Sequence, residues 1–168
     1  MEYKKKICML GSFSVGKTSL VKRYVQSIFD DKYLTTVGVK VDKKLIQAGG
    51  DTVVMMLWDI YGEDDFQKLR MSYLRGANGY LLVADGTRRA TLEKALEIHD
   101  RVMAGPDAAP AVLVVNKVDL AADWEVTGEM LEELRGRGWK PLESSAKTGQ
   151  SVENAFQTIA GLMLEPKR

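Results

Sequence analysis

The sequence has 168 residues, of which 45% are hydrophobic and 28% charged, and its formal net charge is +1. A chain of this length can bury roughly two thirds of its unfolded surface, so we expect residues 1–168 to form one domain. The near-neutral charge gives no overall attraction to nucleic acid. Cys8 and His99 are each the only residue of their type, which excludes an intrachain disulfide and a histidine-rich metal site and is typical of a reducing, cytosolic compartment.

Nothing in the sequence predicts a membrane segment. No apolar stretch approaches the roughly 18 residues that span a bilayer, and no signal peptide opens the chain. Residues 165–168, Glu-Pro-Lys-Arg, contain no cysteine that could carry a prenyl group. We therefore expect a cytoplasmic protein without a membrane anchor in this chain, so that association with a membrane would need a partner or a missing tail.

Short apolar runs alternate with helical patterns along the chain. Strands are expected at residues 7–10, 37–47, 53–58, 80–84, 111–115 and 139–142, and helices at residues 16–26, 63–75, 91–103, 127–136 and 152–164. The Ala-Gly-Gly-Asp cluster at 48–51 is a hairpin signal, so the second and third strands are expected to be antiparallel. The pattern predicts an α/β fold with a six-stranded, mostly parallel sheet, one antiparallel edge strand and about five helices on its two faces.

Residues 11–18, Gly-Ser-Phe-Ser-Val-Gly-Lys-Thr, match the phosphate-binding pattern G-x-x-x-x-G-K-[ST] between the first strand and the first helix. Gly11 and Gly16 permit a tight turn whose N–H groups point at a phosphate. The helix N-terminus adds partial positive charge, Lys17 can reach the outer phosphates, and the Thr18 hydroxyl can ligate Mg²⁺. The alternative is a glycine turn before a capped helix. The predicted nucleotide-binding residues here are Ser14, Val15, Gly16, Lys17, Thr18 and Ser19.

Asp59 follows the third strand and opens a D-x-x-G pattern that ends at Gly62. Its carboxylate can hold Mg²⁺ through water opposite Thr18, and the Gly62 N–H can reach a γ-phosphate. The pattern is common by itself and can equally mark a turn at the end of a strand. A threonine between the first helix and the second strand could complete the metal coordination, and the residues alone do not separate Thr35 from Thr36.

An N-K-x-D pattern, Asn116, Lys117 and Asp119, follows the buried strand at 111–115. A buried carboxylate at Asp119 can accept two parallel hydrogen bonds from guanine, and adenine would leave it unpaired, which discriminates by roughly 10⁴-fold. Asn116 can tie this loop to the phosphate loop, and the stem of Lys117 can cover the base. Ser145, Ala146 and Lys147 can direct backbone N–H groups at the base oxygen, or can simply cap the last helix. An isolated N-K-x-D tetrapeptide can also be a surface turn.

Taken together, these residues resemble the small GTPases of the Ras superfamily, and the Rab branch most of all. The motifs stand in the family's order between residue 6 and about residue 164: the phosphate loop, a loop threonine, W-D-x-x-G at 58–62, N-K-x-D at 116–119 and S-A-K at 145–147. Residues 73–80 also look like the Rab segment before the fourth strand. The resemblance implies a P-loop three-layer sandwich and a molecular switch that binds GTP or GDP with Mg²⁺ and slowly hydrolyses GTP.

The resemblance also implies residue roles. It selects Thr36 as the metal ligand beside Thr18 and Asp59. It suggests that Phe29 packs edge-on against the guanine and that Tyr33 covers the phosphates. It implies switch regions at about 30–39 and 59–75, which a γ-phosphate orders and which effectors, exchange factors and activating proteins contact. A monomer is the family default.

Three residues depart from the family pattern near the γ-phosphate. Glu63 stands where a water-orienting glutamine is common, and it lacks the amide donor, so it could slow hydrolysis or act as a more basic group. Tyr61 and Phe13 replace small residues, which suggests poor access for an arginine finger, unless the two rings only pack together. The predicted catalytic residues are Lys17, Gly62 and Glu63.

Two other functions compete with the GTPase hypothesis. The departures at Phe13, Tyr61 and Glu63 are compatible with a pseudo-GTPase that binds nucleotide as a structural or regulatory ligand and does not hydrolyse it. A P-loop kinase is less favoured, because it would not need the N-K-x-D pattern and no lid for an acceptor substrate is evident.

Overall fold

The computed structural model describes residues 2–12, 14–26, 38–61 and 71–164, with the backbone alone at residues 38, 39, 61 and 71. Its strands are β1 (Glu2–Leu10), β2 (Gly38–Ala48), β3 (Asp51–Tyr61), β4 (Gly79–Asp85), β5 (Ala111–Asn116) and β6 (Leu142–Ser144). Its α-helices are α1 (Lys17–Gln26), α2 (Arg89–Met103), α3 (Gly128–Gly136) and α4 (Val152–Leu164). Two 3₁₀ helices, Met71–Leu74 and Val118–Asp123, complete the described elements.

The strands form one six-stranded sheet in the order β2-β3-β1-β4-β5-β6. β2 and β3 are antiparallel, and every other neighbouring pair is parallel. Gly49 and Gly50 turn the hairpin between β2 and β3 with φ angles of 59° and 84°, which glycine adopts without steric cost. The predicted mixed sheet and its antiparallel edge are confirmed.

Helices cover the sheet on both faces, which makes three layers. On one face, Leu20 and Tyr24 of α1 and Phe156 of α4 pack with alternate residues of β1 and β3. On the other face, Ile98 of α2 and Leu134 of α3 belong to a second cluster. This cluster contains the strand side chains that point the opposite way, such as Cys8 and Leu10 of β1. All residues of β4 are buried, because a central parallel strand has helices above and below it.

The structure corrects the predicted last strand, which was placed at 139–142 and lies at Leu142–Ser144. The Trp139 N–H donates to Leu134 O at the end of α3, and its ring packs edge-on against His99. Trp139 thus belongs to the helix end and not to the sheet. The pairing of β6 with β5 instead uses Ser144, which is fully buried although it is polar.

Other boundaries also differ from the sequence prediction. β3, expected at 53–58, lies at Asp51–Tyr61, so Asp59 is inside the strand and does not follow it. β1 begins at Glu2, because its parallel pairing with β3 extends from Glu2 opposite Thr52 to Met9 opposite Asp59. Of the helix predicted at 63–75, the described part contains the 3₁₀ turn Met71–Leu74, and residues 62–70 lie outside the described ranges. Within those ranges, the helices are all too short or too polar to cross a membrane.

Candidate functional site

The candidate residues that the structure describes lie at one edge of the sheet. The described residues of the 11–18 motif connect β1 to the start of α1, Asp59 is near the end of β3, Asn116 ends β5, and residues 145–147 follow β6. Because β1, β3, β5 and β6 run parallel, their carboxyl ends meet at the same edge, where α/β sheets bind their ligands. The sheet topology therefore assembles four segments that are distant in sequence.

The turn after β1 needs glycine for close approach. A Cβ atom at Gly11 would overlap the carbonyl oxygen of Val83, and one at Gly16 would overlap the amide of Asn116. Ser14 has a left-handed φ of 62°, which costs a non-glycine residue on the order of 1–2 kcal/mol. Lys17 is buried, and its Nζ donates to Gly11 O at 2.7 Å across this turn. The packing thus fixes both the backbone path and the position of the lysine.

Thr18 and Asp59 meet at the start of α1. Thr18 Oγ1 donates to Asp59 Oδ2 at 2.6 Å, and Asp59 is 1% exposed. Its other oxygen, Oδ1, is buried and finds no hydrogen-bond partner in the described part of the chain. Burial raises the pKa of Asp59, and the Thr18 hydroxyl and the charge of Lys17 only partly offset this effect. A buried carboxylate with a spare oxygen beside a hydroxyl is suited to a hard divalent cation.

The described residues contain no cluster of three or more His, Cys, Asp or Glu side chains that could hold a metal ion. Mg²⁺ suits such a sparse site, because it keeps several waters and is bound in proteins through one or two carboxylates together with phosphate oxygens. The pair Thr18 and Asp59 therefore fits Mg²⁺ if a phosphate ligand completes the coordination.

Asn116 joins three loops through one buried side chain, which is 2% exposed. Its Nδ2 donates to Val15 O in the phosphate-loop motif at 3.0 Å. Its Oδ1 accepts from Ser144 Oγ at 3.1 Å and from the Ala146 N–H at 3.3 Å. The predicted link between the N-K-x-D segment and the phosphate-loop motif is present in the structure.

Lys117 makes a second connection to the phosphate-loop motif. Its Nζ donates to Ser14 O at 3.0 Å and pairs with Asp85 Oδ2 at 2.9 Å. Burial would raise the pKa of Asp85, but hydrogen bonds from Lys117, Thr87 and Arg88 outweigh burial and lower it. Sequence reasoning missed Asp85. The available signal was a polar residue directly after the apolar run 80–84, at the same sheet edge as Asp59.

Asp119 and Ser145 face each other across two loops. Ser145 Oγ donates to Asp119 Oδ1 at 2.7 Å and accepts from the Thr148 N–H at 3.0 Å. Asp119 itself is exposed, which differs from the buried carboxylate expected from the sequence. Its position in the 3₁₀ helix Val118–Asp123, which has no buried residue, accounts for this exposure.

Two backbone N–H groups of residues 145–147 already donate hydrogen bonds within the protein. The Ser145 N–H donates to Gln150 O at 3.0 Å, and the Ala146 N–H donates weakly to Asn116. Arg23 of α1 donates to Thr148 O at 3.0 Å, and this exposed hydrogen bond connects α1 to the loop. No sequence motif pointed to Arg23. Lys147 is exposed.

Several predicted site residues lie outside the described ranges. These residues are Phe13, Phe29, Tyr33, Thr36, Gly62 and Glu63, together with the side chain of Tyr61. Their assigned roles, including the choice between Thr35 and Thr36, stay predictions.

Comparison with known proteins gives the family. The model of the Ras family matches residues 6–165. Mouse Ras-related protein Rab-17 is 36% identical over 167 residues, which cover 97% of this chain and 77% of Rab-17. Rat Ras-related protein Rab-4A is 36% identical over 163 residues, 95% of this chain and 74% of that protein. Ras-related protein Rab7 of Drosophila melanogaster is 35% identical over 166 residues, 95% of this chain and 80% of that protein. The chain belongs to the Ras family and is a Rab-like small GTPase of the Ras superfamily.

Proposed function

We propose that this chain, as a single domain, binds GTP and GDP with Mg²⁺ at the sheet edge described above, slowly hydrolyses GTP to GDP and phosphate, and works as a molecular switch. Membership of the Ras family implies guanine-nucleotide binding. The location of the nucleotide site is inferred from the hydrogen bond that Asn116 Nδ2 donates to Val15 O. It fastens a candidate base-reading loop to a candidate phosphate loop, and a nucleotide needs both at a fixed spacing.

The phosphates are assigned to residues 14–19 at the N-terminus of α1, where the orientation of the first backbone N–H groups and the helix dipole favour an anion. Lys17 supports this assignment, because its buried ammonium already lies across the turn against Gly11 O. It would exchange that carbonyl for phosphate oxygens. Ser14, Val15, Gly16 and Ser19 would contribute their backbone N–H groups, and Ser19 its hydroxyl.

The metal is assigned to Thr18 and Asp59, with Thr36 as a third ligand when a γ-phosphate is present. The unpartnered Oδ1 of Asp59 supports this assignment. Bound there, Mg²⁺ would neutralise negative charge on the phosphates. The Thr18 hydroxyl and the Asp59 carboxylate would hold and orient the ion.

The base is assigned to Asp119, the stem of Lys117, and the backbone of residues 145–147. The hydrogen bond from Ser145 Oγ orients the Asp119 carboxylate before any base is present. Because Asp119 is exposed in the protein alone, selectivity for guanine requires the bound base itself to cover the carboxylate. Phe29 is assigned to the edge of the base and Tyr33 to the phosphates.

Hydrolysis is assigned to Lys17, Gly62 and Glu63, acting by positioning and charge neutralisation. Glu63 can accept a hydrogen bond from the attacking water but cannot donate one to the phosphate, so the intrinsic rate is expected to be low. Phe13 and Tyr61 would narrow the approach of an arginine finger. The switch regions at about 30–39 and 59–75 would present the nucleotide state to effectors, exchange factors and activating proteins, and the chain would act as a monomer.

A single-turnover assay tests this function. The purified chain is loaded with GTP and Mg²⁺, and bound GTP and GDP are followed by chromatography for several hours beside Glu63→Gln and Lys17→Met. We expect slow conversion in the wild type and loss of bound nucleotide in Lys17→Met. The Glu63→Gln rate then shows whether Glu63 slows the reaction. GTP that stays bound and intact would instead support a nucleotide used as a structural or regulatory ligand, and a chain that binds no guanine nucleotide would overturn the proposal.

A further inference from the structure

The two oxygens of Asp85 have different partners. Oδ1 accepts from the Thr87 N–H at 2.9 Å and from Thr87 Oγ1 at 2.7 Å, which forms a tight turn after β4. Oδ2 accepts from Arg88 Nε at 3.0 Å and pairs with Lys117 Nζ at 2.9 Å. Asp85 is 1% exposed. One oxygen therefore shapes its own loop, and the other faces two cations.

The two cations differ in what they connect. Arg88 is on the neighbouring turn and 41% exposed, so its pairing with Asp85 stays within one loop. Lys117 is 26% exposed and also donates to Ser14 O, so its ammonium connects Asp85 to the phosphate loop. A flexible lysine side chain loses considerable rotamer freedom in such a bridge, and a buried counter-charge offsets that loss.

The backbone around Lys117 is held in an unusual conformation. Its φ is 76°, a left-handed value that favours glycine. Trp124 Nε1 donates to Lys117 O at 2.8 Å, and the indole ring lies so close to Gly86 that a Cβ there would overlap it. The loop after β4 and the loop after β5 are therefore packed together. This packing sets the separation between the Asp85 carboxylate and the Lys117 stem.

We propose that Asp85 is a positioning residue for guanine nucleotide, which holds the Lys117 ammonium on the phosphate loop and thereby slows nucleotide release. The proposal rests on the proposed nucleotide binding. With the carboxylate in place, the Lys117 bridge restrains Ser14 in its left-handed conformation and keeps the Lys117 stem beside the base loop. Without the Asp85 carboxylate, the partly exposed Lys117 ammonium forms more favourable hydrogen bonds with water than with Ser14 O. The phosphate loop and the base loop are then no longer held in the arrangement that binds nucleotide.

The Asp85→Asn variant isolates the pairing with the cations. An asparagine keeps an oxygen for the two Thr87 donors and replaces Oδ2 by an amide that cannot accept from Lys117. We expect the dissociation rate of a fluorescent GDP from the Mg²⁺-loaded protein to rise at least about tenfold, because hydrogen bonds between charged partners exceed neutral ones in strength. Arg88→Gln is the matched control, since it removes the other cation on Oδ2, and its rate should stay within about twofold of wild type.

A double-mutant cycle separates positioning from general destabilisation. Lys117→Met also speeds release, and adding Asp85→Asn to it should change the rate by less than about twofold, because the partner is already gone. If the fold-increases in the GDP dissociation rate multiply in the double variant, Asp85 acts independently of Lys117. That result would overturn the proposal. So would a wild-type dissociation rate in Asp85→Asn.

A second readout does not depend on nucleotide. In nucleotide-free protein, acetylation of Lys117 by a limiting reagent, followed by peptide mass spectrometry, should be several-fold faster in Asp85→Asn than in wild type or Arg88→Gln. Unchanged reactivity contradicts the proposal. If wild type retains no GDP, the proposed function fails, and this lysine reactivity still tests the Asp85 contact by itself.

Thr87→Val serves if Asp85→Asn does not fold, as judged by circular dichroism. It removes one hydrogen bond to Oδ1 and loosens the carboxylate without removing its charge. We then expect a smaller rise in both GDP release and Lys117 reactivity, and wild-type values for both would overturn the proposal.

Discussion

The side-chain amide of Asn116 donates to the carbonyl of Val15 over 3.0 Å, although 101 residues separate them in the chain. The same side chain accepts from Ser144 and Ala146 and is almost completely buried. Because water cannot replace a bond lost at this depth, each partner left behind would carry a desolvation penalty. One amide therefore sets the relative position of three loops.

Asn116→Ala should lower the free energy of unfolding by about 2–4 kcal/mol, because it leaves several buried polar groups unsatisfied. It should also speed GDP release, since the phosphate and base loops separate. Urea unfolding of nucleotide-free protein and the release of fluorescent GDP measure the two effects. Asn154→Ala, at an exposed position on α4, is the control and should behave as wild type. Equal stability of the two variants would contradict the role given to Asn116.

Thr18→Ala should remove the effect of Mg²⁺ on nucleotide release. In wild type, chelating Mg²⁺ with EDTA is expected to speed GDP dissociation strongly, because the proposed ion would connect the protein to the phosphates. In Thr18→Ala, the rate should already be fast and should change little with EDTA. A variant that keeps the full EDTA response would show that the metal is held elsewhere.

Asp59→Asn should have opposite effects on stability and on metal binding. Asp59 is a buried carboxylate whose pKa burial raises, so its charge costs free energy in the metal-free protein. A neutral amide should raise the melting temperature of the nucleotide-free, metal-free protein while it weakens the Mg²⁺ response described for Thr18→Ala. A lower melting temperature under those conditions would mean that the carboxylate is already well compensated by Thr18 and Lys17.

Gly86→Ala should destabilise the protein by about 1–3 kcal/mol, because its methyl group would overlap the Trp124 ring and force the two loops apart. Gly136→Ala is the matched control. Gly136 ends α3 with open space around the Cβ position, so alanine there should be neutral or stabilise by up to about 1 kcal/mol. Denaturant unfolding of both variants measures the difference, and equal effects would exclude the close packing at Gly86.

His99 should make stability fall as the pH drops through the range below about 6.5. Burial against Trp139 lowers its pKa in the folded protein, and Asp100 opposes this only in part. The unfolded chain therefore binds more protons in this range, which favours unfolding as the pH falls. Unfolding curves between pH 5 and 7.5 should show a steeper loss in wild type than in His99→Phe, which keeps an aromatic ring. Parallel pH profiles would contradict this effect.

Much of the architecture follows from local sequence patterns. The hairpin at Gly49 and Gly50 and the buried run at 80–84 have turn and burial signals within a few residues, and both appear in the structure as predicted. Because parallel strands end at a common edge, the motif positions also predicted that residues 11–18, Asp59 and Asn116 would lie together.

The remaining contacts depend on long-range pairing, which no local pattern encodes. Nothing within a few residues of Asp85 indicates that its carboxylate meets Lys117, since the pairing of β4 with β5 brings them together. The position of β6 also depends on long-range pairing. The apolar residue Trp139 suggests a strand at 139–142, but it is the polar residue Ser144 that joins the sheet, where its hydroxyl donates to Asn116 Oδ1. The exposure of Asp119 likewise depends on its place in a 3₁₀ helix in which no residue is buried.

The central place of β1 in the sheet has a consequence for synthesis on the ribosome. β1 leaves the ribosome before the other strands that the structure describes, but its neighbours in the sheet are β3 and β4, which end at residues 61 and 85. Until those strands emerge, the first strand has no sheet to join, and its apolar end at residues 7–10 is open to other chains or to chaperones. Substitutions that weaken β3 or β4 should therefore lower the yield of folded protein during synthesis even where they change the free energy of unfolding of the finished chain only slightly.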